Sequence, residues 1–469
     1  MNQNEEFLDK DAEYPYSPVS RFEEMLTLKN ECFFDVSEFE QIIDHYFNEG
    51  KLKEAKKAVE FSIGQHPTAT SLILKEIQLL SQTKKPQKAL KKILQLELLE
   101  PSNPDLIATK GNIYSQLREH SKAIKCYLEA LPLSTQQEEL YMFLAFEYQN
   151  IGNIEKSIYY FKETLIEDPE NEVALYELVF CFEALDNIDE SVLFYSSFLD
   201  EYPYSHAAWY NLGISYSKLK HYENAIEAYD FSIAIEDSFA SAYFNKAHAF
   251  ASIGKFNEAI VVYKETFIHE EPEAYTYFFI GECYDKLGQV KNALLYFQKA
   301  LKIEPDLADS WLSMGKLLSK KGKQKESIGN FKKAIELDSE NPTYWQVYGN
   351  ALVKFGMEEE ALFALKESLD IDPNNYETWI NYSDLLFQIN NKKLAIDTIQ
   401  EGIKQFPTCA EFHYKLTAYL LSSGRKKKAY KQFSEALKLD YAKHKDFFDY
   451  YPQSKKISEI IELITSFEE

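Results

Sequence analysis

The chain has 469 residues, 45% of them hydrophobic, and a formal net charge of −24. That hydrophobic share excludes wholesale disorder, and the negative charge argues against a general binder of nucleic-acid phosphates or of anionic membrane surfaces. Aromatic residues are abundant, 33 Tyr and 33 Phe against 4 Trp, so the architecture asks repeatedly for a flat ring of intermediate size.

Residues 1–35 read as an acidic arm in which YPYSP is followed by SRFEEML. An extended stretch and then a short helix are expected, with Ser20 as N-cap and Glu23 three residues on. The first residues lack the basic and apolar regions of a secretory signal, and no apolar run approaches the ~18 residues needed to span a bilayer. Cys32, Cys126, Cys181, Cys283 and Cys409 are dispersed without a CxxC pair, a pattern suited to a reducing compartment. A soluble, cytoplasmic protein is the expectation.

From Val36 onward the chain repeats. The turns NEGKLKEA, NIGNIEKS, SIGKFNEA, KLGQVKNA, KKGKQKES and KFGMEEEA each place a small residue five positions after a glycine. At a period of 34 those small residues are Ala55, Ala89, Ala123, Ser157, Ser191, Ala225, Ala259, Ala293, Ser327, Ala361, Ala395 and Ala429. Twelve units follow without insertion, starting at 36, 70, 104, 138, 172, 206, 240, 274, 308, 342, 376 and 410 and ending at 443. Each unit holds two helical stretches. In the first, apolar residues and glycine share one face, as in Trp209, Leu212, Gly213 and Tyr216. In the second, a ring or aliphatic follows the small residue by four, as Tyr229 follows Ala225. The small side chain is expected to let the two helices of a hairpin approach, and the ring to fill the space against the next hairpin. Proline closes seven units, at Pro67, Pro101, Pro169, Pro203, Pro305, Pro373 and Pro407.

Residues 209–216, WYNLGISY, resemble the W-x2-L-G-x2-Y signature of the tetratricopeptide repeat family, and Ala225 and Tyr229 continue it. The resemblance spans 36–443. Unit two departs from it, with Glu76 where Leu is usual, and units three, six, seven, nine and twelve lack the closing proline. It implies an all-α fold, a superhelical solenoid of helix-turn-helix repeats. The segment SKKISEIIELITSF within 444–469 reads as an amphipathic helix capping the last unit.

Little chemistry is available. Too few residues lie outside 36–443 for a catalytic domain, so an enzyme is not expected, and no cofactor or metal is implied. The Gly-Lys pairs at Gly50, Gly254, Gly315 and Gly322 lack the upstream glycine of a phosphate loop. His248 and His413 have no neighbouring ligands at metal spacing and read as surface or groove side chains. The run Arg425-Lys426-Lys427-Lys428 starts at a turn and reads as solvated.

In the family, first helices line the concave face and repeat positions 2, 5, 9 and 12 point into it. Position 5 of units four to eight is Met142, Tyr176, Tyr210, Phe244 and Phe278, and position 9 adds Phe146, Phe180 and Ile214. These form a candidate apolar ladder for a partner segment. Units four to seven hold 19 more acidic than basic side chains, so a protein or peptide with apolar anchors and Lys or Arg would suit them. Some members grip a C-terminal carboxylate with a clamp of Lys and Asn. Asn350, Asn381 and Lys415 match three of its five positions, whereas Gln346 and Glu411 replace two of its lysines. An incomplete clamp is expected. The reading is a non-enzymatic interaction scaffold or adaptor. Its alternatives are a non-catalytic regulatory subunit of an enzyme complex and an adaptor regulated by its own N-terminal arm.

Overall fold

A computed structural model describes residues 17–28, 32–83, 85–135 and 137–467. The fold is all-α, a solenoid of helical hairpins. Among the described residues there are 27 α-helices, one short 3-10 segment and no strand. The chain forms two compact units, Met1–Asp237 and Ser238–Glu469.

Local chemistry sets the hairpins. In the first unit, Ser205 opens the helix His206–Lys218 by accepting from the Ala208 amide, and Asn171 caps Glu172–Ala184 in the same way. The turn between helices needs one residue in the left-handed region. Gly254 supplies it at φ +78°, but Lys220 holds the same conformation at +61°, as do Arg118, Asp186 and Asn390 in their turns. A non-glycine residue there costs about 1–2 kcal/mol, so these turns are held by the packing on either side.

That packing is uniform. All twelve small residues of the 34-residue period have zero exposure. The residues four positions later, among them Tyr127, Phe161, Tyr195, Tyr229, Tyr263, Phe297 and Phe433, are no more than 2% exposed. Sealing such a ring contributes roughly 1.5–3 kcal/mol. Both residues serve their own hairpin and the next. The ring meets the next hairpin, as Tyr127 does Phe143 at 5.2 Å, and closes on its own: a Cβ on Gly213 would lie 2.5 Å from the Tyr229 ring, and one on Gly281 2.7 Å from Phe297. The small residue joins its own hairpin where Ser327 Oγ donates to the Gly315 carbonyl at 2.9 Å, and the next where the Ser191 and Ser215 hydroxyls meet at 2.8 Å. The absent side chain of the glycine makes the seat for the ring.

The four tryptophans share one device. Trp209, Trp311, Trp345 and Trp379 each donate Nε1–H at 2.9 Å to the carbonyl six residues upstream, on Pro203, Pro305, Ser339 and Pro373. Each indole thereby pins the loop that precedes its helix.

The ends differ from expectation in detail. The N-terminal helix is Pro18–Leu28, so Ser20 lies inside it and is not its cap. The Ser17 Oγ accepts from the Ser20 amide at 3.2 Å, because Pro18, which lacks an N–H, suits the first helical position. Phe22 and Met25 of this helix are buried against Phe39 and Tyr46. Residues 1–16 and 29–31 of the expected arm lie outside the described residues. At the other end SKKISEIIELITSF is not one helix. Ser454–Lys456 belong to the 3-10 segment Pro452–Lys456, and a helix follows at Ser458–Thr465. The helix His444–Tyr450 precedes both and buries Phe447 against Tyr414 and Phe433.

Candidate functional site

In the first unit, the ladder residues stand on three successive first helices, Gln137–Asn150, Glu172–Ala184 and His206–Lys218. Met142 and Phe146 are half-buried, and the Phe146 ring meets Phe161 edge-on at 5.3 Å. Tyr176 and Tyr210 are brought together, edge to face, at 6.0 Å. Burial pushes the Tyr176 phenol up to about 12, with the Glu172 and Tyr210 charges adding to it. Ile214 is half-buried, and Phe180 is 58% exposed. Leu175, Leu178 and Phe182 of the same helix are sealed in the core, and the Phe180 ring is not part of it.

In the second unit, the two remaining rings do not pair with each other as a row would require. Phe244 meets Tyr263 at 5.5 Å and Phe279 at 5.8 Å. Phe278 is only 8% exposed and packs with Ala274, Ala293 and Phe297. In that helix the ring at position 5 enters the core, and Phe279, one residue on, takes the place beside Phe244. His248 joins this cluster, with Nδ1 3.1 Å from the Tyr263 hydroxyl. Much of its surface is open, and the desolvation of its covered side lowers its pKa.

The clamp residues are already satisfied within the second unit. Asn381 Nδ2 donates to Asn350 Oδ1 at 3.1 Å. Lys415 Nζ donates to Asp384 Oδ2 at 2.5 Å, and lies 4.4 Å from the centre of the Tyr450 ring. Glu411 lies 4.0 Å from Lys443, and Gln346 hydrogen-bonds Asn375. His413, expected on the surface or in the groove, is buried, and Gln432 Oε1 accepts from its Nδ1–H at 2.8 Å.

One feature of the first unit escaped the sequence reading. A recess of about 460 Å³ is lined by Glu40, Asp44, Gln78, Asp105, Asn112 and Glu139, among others. Those residues occupy positions 2, 5 and 9 of units one to four, so the same positions, read there, name its lining but not its shape. Lys75 pairs with Asp44 at 2.5 Å. Burial holds the Glu139 carboxyl above its usual range, with Glu138 and Asp105 adding to the shift. These first helices are polar and acidic where the next ones are aromatic.

No group of three or more His, Cys, Asp or Glu side chains positioned to hold a metal occurs among the described residues, and no described helix is long and apolar enough to cross a membrane. Stacked hairpins sealed by a small residue and a ring define an α-solenoid repeat protein. Models described as tetratricopeptide repeat match residues 104–136, 173–205, 206–239, 240–265, 274–307, 308–341 and 352–419. The chain belongs to the tetratricopeptide repeat family. No curated protein matches it. Its fold is similar to the crystal structure of the APC/C hetero-tetramer Cut9–Hcn1, at 16% identity and TM-score 0.42 over 85% of this chain and 92% of that one. It is also similar to YrrB, a TPR protein with an unusual peptide-binding site (21% identity, TM-score 0.32, 39% of this chain and 95% of that one). A third likeness is to the C-terminal part of a TPR repeat-containing protein from Cytophaga hutchinsonii (20% identity, TM-score 0.42, 49% and 95%).

Proposed function

We propose that this chain is a non-enzymatic adaptor that holds an extended segment of a partner protein against its first helices, within twelve repeats spanning 36–443. The observation that carries the reading is the open ring of Phe180, one helical turn on from Tyr176 of the Tyr176–Tyr210 pair. Aromatic side chains offer large contact area at little rotamer cost, so a set left in solvent suits apolar anchors. The surplus of 19 acidic side chains in units four to seven, with Glu40, Asp44, Asp105 and Glu139 around the neighbouring recess, favours a segment that also carries Lys or Arg. Those charges steer encounter, and salt weakens that steering. A cytoplasmic site of action belongs to the same reading, and all five cysteines are free thiols.

The test is selection from a library of displayed peptides against the intact chain and against a variant carrying Phe180→Ala with Tyr210→Ala. Selected peptides should combine cationic and large apolar residues, bind more slowly at high salt, and be lost by the variant while its helicity and melting temperature stay near wild type. Acidic peptides, or equal binding by the folded variant, would place the groove's contacts elsewhere.

A further inference from the structure

In the second unit a different recess, of about 500 Å³, opens between three helices. Ile335 comes from Gln324–Leu337, Trp345 and Tyr348 from Pro342–Lys354, and Glu359, Glu360 and Phe363 from Glu358–Ile371. Its walls are built at right angles. The Trp345 and Phe363 rings have centroids 5.8 Å apart and planes at 79°. The indole cannot swing freely, because its Nε1–H is held by the Ser339 carbonyl at 2.9 Å. Tyr348 and Ile335 are buried and close the inner side. Phe363 stands at the mouth with 59% of its surface in solvent, a costly place for a ring with nothing to cover.

The electrostatics of the recess are also one-sided. Aromatic faces are negative, and two carboxylates stand beside them. Neither Glu359 nor Glu360 has an ion-pair partner among the described residues, although Lys and Glu pair freely elsewhere on these helices, as Lys333 does with Glu336 and Lys366 with Asp370. Lys332 reaches the wall, yet its ammonium lies over none of the three rings. Elsewhere in this chain lysines do take such places, as Lys299 does at 4.7 Å from the Tyr296 ring. The recess is thus a half-built aromatic box in which two unpaired carboxylates outnumber the one lysine at its wall, and that lysine leaves the rings uncovered.

A bare ammonium entering between the rings would leave N–H donors facing apolar walls. An ammonium clothed in methyl groups keeps its charge, has few or no donors to satisfy, and fits the rings by contact and by cation–π attraction. We propose that this recess receives the methylated ammonium of a lysine side chain on a partner protein. Only the protein-borne character of that cation rests on the scaffold reading; the box stands on its own geometry, apart from the Phe180 and Tyr210 surface.

The experiment uses the full chain and calorimetry with three versions of one short peptide, carrying trimethyllysine, unmodified lysine, or the neutral isostere in which carbon replaces the quaternary nitrogen. Free choline is the fourth probe. The trimethylated peptide should bind roughly tenfold more tightly than either of the other peptides, the loss of one cation–π site. Phe363→Ala and Glu360→Gln, both at exposed positions, should each lower that preference without changing the melting temperature. Equal binding of the neutral isostere would make the recess an ordinary apolar hollow, and equal binding of unmodified lysine an ordinary acidic rim. Choline bound as tightly as the trimethylated peptide would remove the protein-borne occupant, and absence of binding by all four would remove the site. Phe180→Ala with Tyr210→Ala should leave every one of these results unchanged, which separates failure here from failure of the groove reading.

Discussion

The stretch 142–214 and the stretch 346–450 both carry candidate binding side chains on first helices, and they use them in opposite ways. In the first, Tyr176 and Tyr210 meet edge to face and stay half-buried, and Phe180 stays open. In the second, Asn350 and Asn381 are bound to each other, and Lys415 is held between Asp384 and Tyr450. One surface has been left with unspent contact area, and the other has been closed by the chain itself. The lesson concerns how groove positions are read. A residue of the right type at the right position is available to a partner only where its neighbours have not already satisfied it.

If that contrast is sound, stability should reside in the hairpin junctions and in the closed stretch, and hardly at all in the open one. The largest effect is expected at a junction. Ala225→Leu forces extra volume into a site with no exposure and should cost about 1–3 kcal/mol, read from denaturant unfolding monitored by helicity. Because repeats unfold by neighbour-coupled steps, the loss should appear first in the unit that holds Ala225. Unchanged unfolding would mean that the small-residue seal is not structural.

The closed stretch comes next. Asp384→Ala leaves Lys415, whose side chain is 13% exposed, without its carboxylate, and the buried Tyr419 hydroxyl without one of its acceptors. An unmade bond of that kind costs about 1–2 kcal/mol. The same region should not bind peptides ending in free acidic residues, and Asn350→Ala should make no difference to them. Carboxylate binding that disappears with Asn350→Ala would overturn the view that the clamp is spent.

In the open stretch, Phe180→Ala should change stability by no more than about 0.5 kcal/mol, as for a surface side chain outside any network. A larger loss would show that the ring is packed, and would erase the difference between the two stretches.

How far these regions could be read in advance follows from the same physics. Ala225 and Tyr229 were legible because a sealed junction admits few side chains, and the restriction returns every 34 residues. The groove was half legible. Position 5 faces the partner side when its neighbours leave room, but Phe278 is drawn into the core beside Phe297 while Phe279 takes the outer place. Glu40, Asp44 and Asp105 were not legible as a site, because single carboxylates on a solvated helix face look alike in sequence whether or not a recess brings them together. The box of Ile335, Trp345 and Phe363 could not be read at all, since its walls come from three helices and no spacing in the chain announces their meeting. The cap at Ser17 shows the smallest case: Ser20 had the better motif, but Pro18 decided where the helix began.

The weakest expected effect lies at His248, which stands between open and closed. Its Nδ1 meets the Tyr263 hydroxyl at 3.1 Å, and its ring lies 5.0 Å from Phe279 and 6.4 Å from Phe244. These neighbours carry no charge at neutral pH, and desolvation on their side disfavours the imidazolium, so the folded pKa is held below the ordinary 6.5. The unfolded chain then binds the proton more readily than the folded one. Stability is complete above the ordinary histidine value, and it declines as pH falls below that value until the lowered folded value is passed. Solvent reaches one side of the ring, so the slope should be shallow. His248→Gln retains a hydrogen-bonding side chain but cannot titrate. Melting curves of the wild type and this variant should therefore converge in difference at neutral pH and separate in mildly acidic buffer, with the variant the less sensitive. If both lose stability in parallel, the imidazole is effectively exposed, and the Phe244–Phe279 cluster belongs with the open surface instead of the closed one.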